Sequence, residues 1–412
     1  MLKKSNFLIG FLMICFVAGS LSAPAAAADW NMFHENPQHT GYLDQASDFA
    51  TNLWIYNVGS AVESTPAIIN KIIYLGSKDG KVSAVNLEDG TKLWDYKTGG
   101  SIVSSPAIVN GTLYIGSMDG YLYAQDTNNG DVKWKYKTGN SIESSAAVDG
   151  TDVYIGSDDG RVYAIDAQNG TMDWEYETGN AVKSSPTVVD GVLYVGSDDG
   201  NIYAISTKNG TKLWDYTTGD KIRSSPSVLN GVVYVGSDDG KVYALNTTDG
   251  SVIWAYSMGK SVQSSPTLDS NDNSLFVGAD NGKVACLDTR DGTEKWTYNA
   301  GKAVKTTPAL YINKIIIGSD DGTVYVLNKY SGKDIWNYQP GYYLFNSAFR
   351  SSPVVYGNNL LAAGTDGYLY SMNIDKESGP ISNFVYYIIA ILVVVVAALI
   401  GVKKLRNRRK GE

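Results

Sequence analysis

Three marks recur eight times along this 412-residue chain, and they predict an all-β fold. The predicted architecture is an eight-bladed β-propeller of four-stranded antiparallel blades, with an N-terminal strand closing the last blade and one C-terminal transmembrane helix. The first mark is tryptophan: Trp54, Trp94, Trp134, Trp174, Trp214, Trp254, Trp296 and Trp336 follow at intervals of 40 residues, with one interval of 42. The second is a glycine turn, GSKDG at 76, GSMDG at 116, GSDDG at 156, 196, 236 and 318, GADNG at 278 and AGTDG at 363. The third is Ser-Ser-Pro or a variant, beginning at Ser64, Ser104, Ser144, Ser184, Ser224, Ser264, Thr306 and Ser351. Forty-three glycines, 29 tyrosines and alternating Val and Ile suit short strands and tight turns.

From the N-terminus, residues 1–28 carry a short basic start (Lys3, Lys4), an apolar core and a small-residue stretch, the pattern of a secretory signal cleaved after Ala28. Ile14 precedes Cys15 where a lipid-attachment signal wants a small residue, so no lipid anchor is expected. Residues 29–49 form a lead-in that holds both histidines, His34 and His39. No Cys or carboxylate cluster accompanies them, so docking against the propeller is expected in preference to metal binding.

The repeats occupy 50–375. One unit, 184–216, divides at its turns into strands Ser185–Val189, Val192–Gly196, Asn201–Ser206 and Lys212–Tyr216; the turns DG, SDDG and TKNG supply residues that tolerate positive φ. A single unit cannot bury both faces, so neighbours must stack around an axis. The last unit lacks a tryptophan strand, whereas TNLWIYNVG near the start is a tryptophan strand with nothing before it. Joining the two closes the ring and leaves no large exposed edge.

A linker, 376–383, leads to the uncharged run FVYYIIAILVVVVAALIGV at 384–402. As a helix at ~1.5 Å per residue it is roughly 28 Å long, enough to cross a bilayer core. The basic tail 403–412 is expected to stay cytoplasmic by the positive-inside rule, which leaves the propeller outside the cell on a single-pass anchor. Between the basic ends lie 26 basic and 41 acidic residues, a net charge of −15 that excludes a nucleic-acid partner. Outside the signal Cys286 is the sole cysteine, so no intramolecular disulfide can form.

Within each unit a small residue lies ten before the tryptophan with a glycine between, as in Ala164, Gly170 and Trp174 or Ala204, Gly210 and Trp214. This resembles the tryptophan-docking motif of the PQQ-like (quinoprotein-type, BamB-like) repeat family, named for pyrroloquinoline quinone dehydrogenases, over residues 50–375. The resemblance implies a structural role for the eight tryptophans, each indole wedged between adjacent blades over a small residue and a glycine. Cys286 occupies the small-residue position of its unit, which implies a buried, inert thiol. The family holds PQQ-dependent dehydrogenases, with PQQ and Ca²⁺ on the propeller axis and often an adjacent Cys–Cys pair. It also holds noncatalytic members, among them a scaffold of bacterial outer-membrane assembly. This chain has no Cys–Cys pair and near-minimal turns, with one modest insertion at 339–350. No cofactor is therefore expected, PQQ with calcium belonging to the alternative reading.

One position breaks the repetition. The residue before each Ser-Ser-Pro mark is Glu63, Val103, Glu143, Lys183, Arg223, Gln263, Lys305 and Arg350 in turn. The first strand of a blade lines the central channel, so these residues are expected to ring it near one mouth. Two readings stand: a solvated ring of mixed charge, or an acceptor for an anionic ligand or acidic peptide with Lys183, Arg223, Lys305 and Arg350 as its basic half. Two aspartates on an SDDG hairpin are ordinary turn chemistry. DSNDNS at 269–274 places Asp269, Asn271 and Asn273 at calcium-loop spacing, but Ser274 replaces the sharp-turn glycine, so a longer hairpin is expected. No metal site and no catalytic residue is predicted: no Ser–His–Asp set, phosphate loop or catalytic cysteine context is present. The expected function is an extracytoplasmic, membrane-anchored binding or assembly scaffold with an envelope protein or peptide partner. A PQQ-dependent dehydrogenase is the first alternative, and a structural surface protein or adhesin the second.

Overall fold

The computed structural model describes residues 42–43, 54–340 and 347–375. The expected signal, both histidines, the linker, the transmembrane helix at 384–402 and the basic tail lie outside them. Among the described residues every regular element is a strand, and no helix is long and apolar enough to cross a membrane.

Eight sheets of antiparallel hairpins form the blades. Their first strands, Ala67–Ile69, Ala107–Val109, Ala147–Asp149, Thr187–Val189, Ser227–Leu229, Thr267–Asp269, Ala309–Tyr311 and Val354–Tyr356, lie side by side in succession and line the channel. They number blades 1 to 8. Blade 4 shows the plan, with Thr187–Val189, Val192–Gly196, Asn201–Ser206 and Lys212–Thr217 running from axis to rim. Its first strand starts two residues later than the sequence predicts. Pro186 has no N–H for a ladder, and the Ser185 N–H donates to Ser225 Oγ of the next blade at 2.9 Å. Blade 8 takes its rim strand from the other end of the chain: Trp54–Asn57 pairs with Tyr368–Asn373, Trp54 opposite Ser371. Blade 7 carries a fifth strand, Tyr42–Leu43, parallel to Ala309–Tyr311.

The Ser-Ser-Pro mark is a staple in two directions. The first hydroxyl accepts an N–H within its own blade, as Ser184 Oγ does from Gly196 at 3.1 Å. The second accepts from the preceding blade: Thr65 N–H to Ser105, Ser105 to Ser145, Ser145 to Ser185, and onward to Ser225 and Ser265, at 2.8–3.0 Å. Ser352 N–H donates to Thr65 Oγ1 at 3.3 Å, which carries the chain of bonds across the closure.

At the rim each indole bridges a seam. Trp174 Nε1 donates to the Thr207 carbonyl of the next blade at 2.8 Å, and Trp214 to Thr247 at 2.8 Å; the other six follow suit. The glycine under an indole also belongs to the next blade. A Cβ on Gly210 would sit 2.7 Å from the Trp174 ring, so only hydrogen fits there. The small residue, by contrast, pairs with its own tryptophan, Ala164 opposite Trp174. In blades 1 to 7 a β-bulge precedes the tryptophan, leaving Leu213 unpaired between Lys212 and Trp214 in blade 4. Bulges twist an outer edge away from further pairing, which suits a ring of eight exposed edges.

Candidate functional site

The residues before the Ser-Ser-Pro marks meet at the channel mouth, and they do not meet alone. Two residues precede the last glycine of each glycine turn, and the first of the two faces them: Lys78, Met118, Asp158, Asp198, Asp238, Asp280, Asp320 and Thr365. Arg223 grips Asp198 with two bonds, Nε to Oδ1 and Nη2 to Oδ2, both 3.0 Å. Arg350 grips Asp320 likewise, at 3.0 and 3.3 Å, and reaches Glu63 at 3.4 Å across the closure. Lys183 lies 2.7 Å from Glu143 and 3.9 Å from Asp158, and Lys305 lies 3.8 Å from Asp280. Gln263 donates to Asp238 at 3.3 Å, and Lys78 pairs with Glu63 at 2.9 Å. Val103 joins none of these pairs, having no charge to offer.

The pairing has a rule: a base in one blade answers an aspartate in the blade before it. Blades 3, 4, 6 and 7 offer Asp158, Asp198, Asp280 and Asp320; blades 4, 5, 7 and 8 answer with Lys183, Arg223, Lys305 and Arg350. Across the two tiers seven carboxylates face five cations. All four members of the expected basic half are thus matched by carboxylates of the chain itself.

Burial tunes these carboxyls unequally. It pushes Asp158 up to about 6, with Glu143 adding to the rise and Lys183 opposing it. Burial also raises Asp280, against the pull of Lys305. Asp198 feels the same burial, but its bonds to Arg223 and Lys221 outweigh it and hold the carboxyl below the ordinary range. One oxygen of Asp158 and one of Asp280 are buried without a hydrogen bond.

The second residue of the same turns does other work. Asp199 Oδ2 accepts from the Tyr203 hydroxyl at 2.7 Å and from Gly179 N–H of the preceding blade at 2.7 Å. Asp119, Asp159 and Asp239 repeat both bonds. Reading SDDG as turn chemistry therefore fits its second aspartate and misses the first. The available signal was that the first position varies from unit to unit while the second stays Asp or Asn.

Two other sequence features resolve locally. The DSNDNS stretch is a longer hairpin, Thr267–Asp269 to Ser274–Gly278, and an ammonium stands among its carboxylates. Lys329 Nζ lies 2.6 Å from Asp269 and 2.8 Å from Asp272, with Lys329 and Asp269 buried. Cys286 is buried opposite Trp296, and burial pushes its thiol up to about 11, away from the reactive thiolate. Among the described residues no three His, Cys, Asp or Glu groups converge to hold a metal ion.

Comparison with known proteins places this geometry. A family model described as outer membrane protein assembly factor BamB matches residues 46–146, and one described as the β-propeller of β-alanine-activating enzyme matches 189–389. Its fold is that of a PQQ-like repeat β-propeller. No curated protein sequence matches it. Among solved structures, this propeller is similar to BamB from Moraxella catarrhalis at 23% identity and a TM-score of 0.65, covering 78% of this chain and 98% of that one. It is similar to quinohemoprotein alcohol dehydrogenase from Comamonas testosteroni at 16% identity and 0.71, covering 86% and 82%. The computationally designed Ika8 protein aligns at 18% identity and 0.69, covering 77% and 98%. At these identities the likeness of a PQQ-like propeller to its neighbours is one of fold.

Proposed function

We propose that this propeller is a non-catalytic binding or assembly scaffold, held outside the cell at the envelope by a single C-terminal span. The observation that carries the reading is the internal matching of charge at the channel mouth. PQQ is a tricarboxylate, and to bind there it would have to compete with Asp158, Asp198, Asp280 and Asp320 for the cations they hold. The mouth residues do not fit that cofactor. The match of residues 46–146 to an assembly-factor model favours protein partners in the envelope. Export and anchoring rest on the sequence pattern of 1–28 and 384–412.

The test has two arms. Calorimetric titration of PQQ with Ca²⁺ into the full-length chain is expected to give no saturable binding. Chemical cross-linking in membranes, followed by purification, is expected to yield a defined protein partner. Micromolar PQQ binding accompanied by dye reduction would sink the scaffold reading in favour of a dehydrogenase. Binding of polysaccharide with no protein partner would favour an adhesin.

A further inference from the structure

Each channel strand is three residues long. One edge bonds to the second strand of its blade, and the other faces the axis. In blade 7 that inner edge is occupied: Tyr42 lies opposite Leu310 and Leu43 opposite Tyr311, in parallel register. The same segment lies against Thr267–Asp269, the channel strand of blade 6. The burial pattern fits the contact, alongside the bonds of Asp269 to Lys329 and of Tyr311 to Asn358. The third residue of the channel strand is partly or fully exposed in Ile69, Val109, Asp149, Val189, Leu229 and Tyr356. In the two blades that Tyr42–Leu43 touches, the equivalents Asp269 and Tyr311 are 0% exposed.

We propose that the channel edge of blade 7 is a binding site for an extended polypeptide strand, and that the chain's own Tyr42–Leu43 segment is its resident occupant. Main-chain bonds to a sheet edge recognise extended peptide with little regard to side chains, so one backbone segment can stand in for another. Two residues make a weak pairing by themselves. Ten residues separate Leu43 from Trp54, which is anchored in blade 8, and so short a tether holds the strand near the edge at about millimolar effective concentration. An element of so few bonds opens far more readily than the blades, and a longer incoming strand can take its place. The scaffold reading matters here only for where such a strand would come from; self-occupation of the edge does not depend on it.

The test is amide hydrogen exchange on the full-length chain and its Leu43→Pro variant, with a synthetic peptide of residues 38–47 as probe. Proline removes the N–H and cannot continue the strand. Among the amides of 309–311, Leu310, whose N–H faces the axis while those of Ala309 and Tyr311 bond to the second strand, is expected to exchange at least about tenfold faster in the variant and to regain protection when the peptide is added. Those of 187–189, in a blade the segment does not touch, should be unchanged, which shows that the propeller is intact. Equal exchange at Leu310 in both chains would overturn the proposal, as would a peptide that restores no protection. Neither result bears on whether a cellular partner exists, so the two readings fail separately.

Discussion

The seams between blades and the mouth of the channel are built from the same turns and use them in opposite ways. At the seams the second turn residue repeats, and in blades 2 to 5 it takes the same two donors, a tyrosine hydroxyl of its own blade and a glycine N–H of the blade before. At the mouth the first turn residue varies, and its partner in the next blade varies with it. Where blade 2 offers Met118 rather than an aspartate, blade 3 carries Glu143 rather than a base. The one irregular seam behaves like the mouth: blade 6 has two extra residues in its first hairpin, and blade 7 answers with Lys329, where blades 2, 4, 5 and 6 have threonine. These two departures from the repeat thus come in pairs across a boundary. The cause is energetic, since a buried or half-buried charge without its partner is costly while a matched pair is tolerated.

The sharpest way to break this comparison is at the irregular seam. Lys329→Met strands the buried Asp269 carboxylate and should lower unfolding free energy by about 3–5 kcal/mol, read by denaturant titration; adding Asp269→Leu should recover most of it. If the single and double variants are equally unstable, the pair is not compensatory. Trp214→Ala empties the seam over Gly250 and severs the bond to Thr247, with an expected loss of about 3–5 kcal/mol by the same measurement.

Next in size is the contrast within one turn. Asp239→Ala leaves the Tyr243 hydroxyl and the Gly219 and Lys241 N–H groups without their acceptor, an expected cost of about 1–3 kcal/mol. Asp238→Ala, one residue away, should cost within about 1 kcal/mol, because the part-exposed Ser261 and Gln263 that donate to it can turn to water and Arg223 keeps Asp198. The reverse order would abolish the distinction between seam and mouth.

A further effect concerns pH. The folded carboxyl of Asp158 is raised to about 6, above its unfolded value of about 3.9, so the native state binds this proton more tightly. Its contribution to stability therefore falls as pH rises through that window. Asp158→Asn should gain about 1–2 kcal/mol relative to the parent at pH 7.5 and less at pH 5, compared by denaturation midpoints. A difference that is the same at both pH values would show that the carboxyl titrates normally.

The fold was legible because its signals are local and eightfold. The 40-residue interval set the blade, positive-φ turn residues such as Gly200 and Gly210 set the strand breaks, and the unpaired tryptophan strand at 54–57 announced the closure. The mouth was legible by half. Glu63, Glu143, Lys183, Arg223, Gln263, Lys305 and Arg350 stood out because they vary, and the structure brings them together. What they face was not legible, for Asp198 and Arg223 lie 25 residues apart and in different blades.

Sequence alone determined the number of blades, their strand plan and the residues that differ between them, since spacing and turn chemistry are written along the chain. Tertiary structure decided which differences meet. Curling the repeats into a ring sets the end of one blade against the start of the next, and this converts scattered charges into pairs. It also brings Tyr42–Leu43 to a channel strand more than 260 residues away, a pairing that no local pattern could specify.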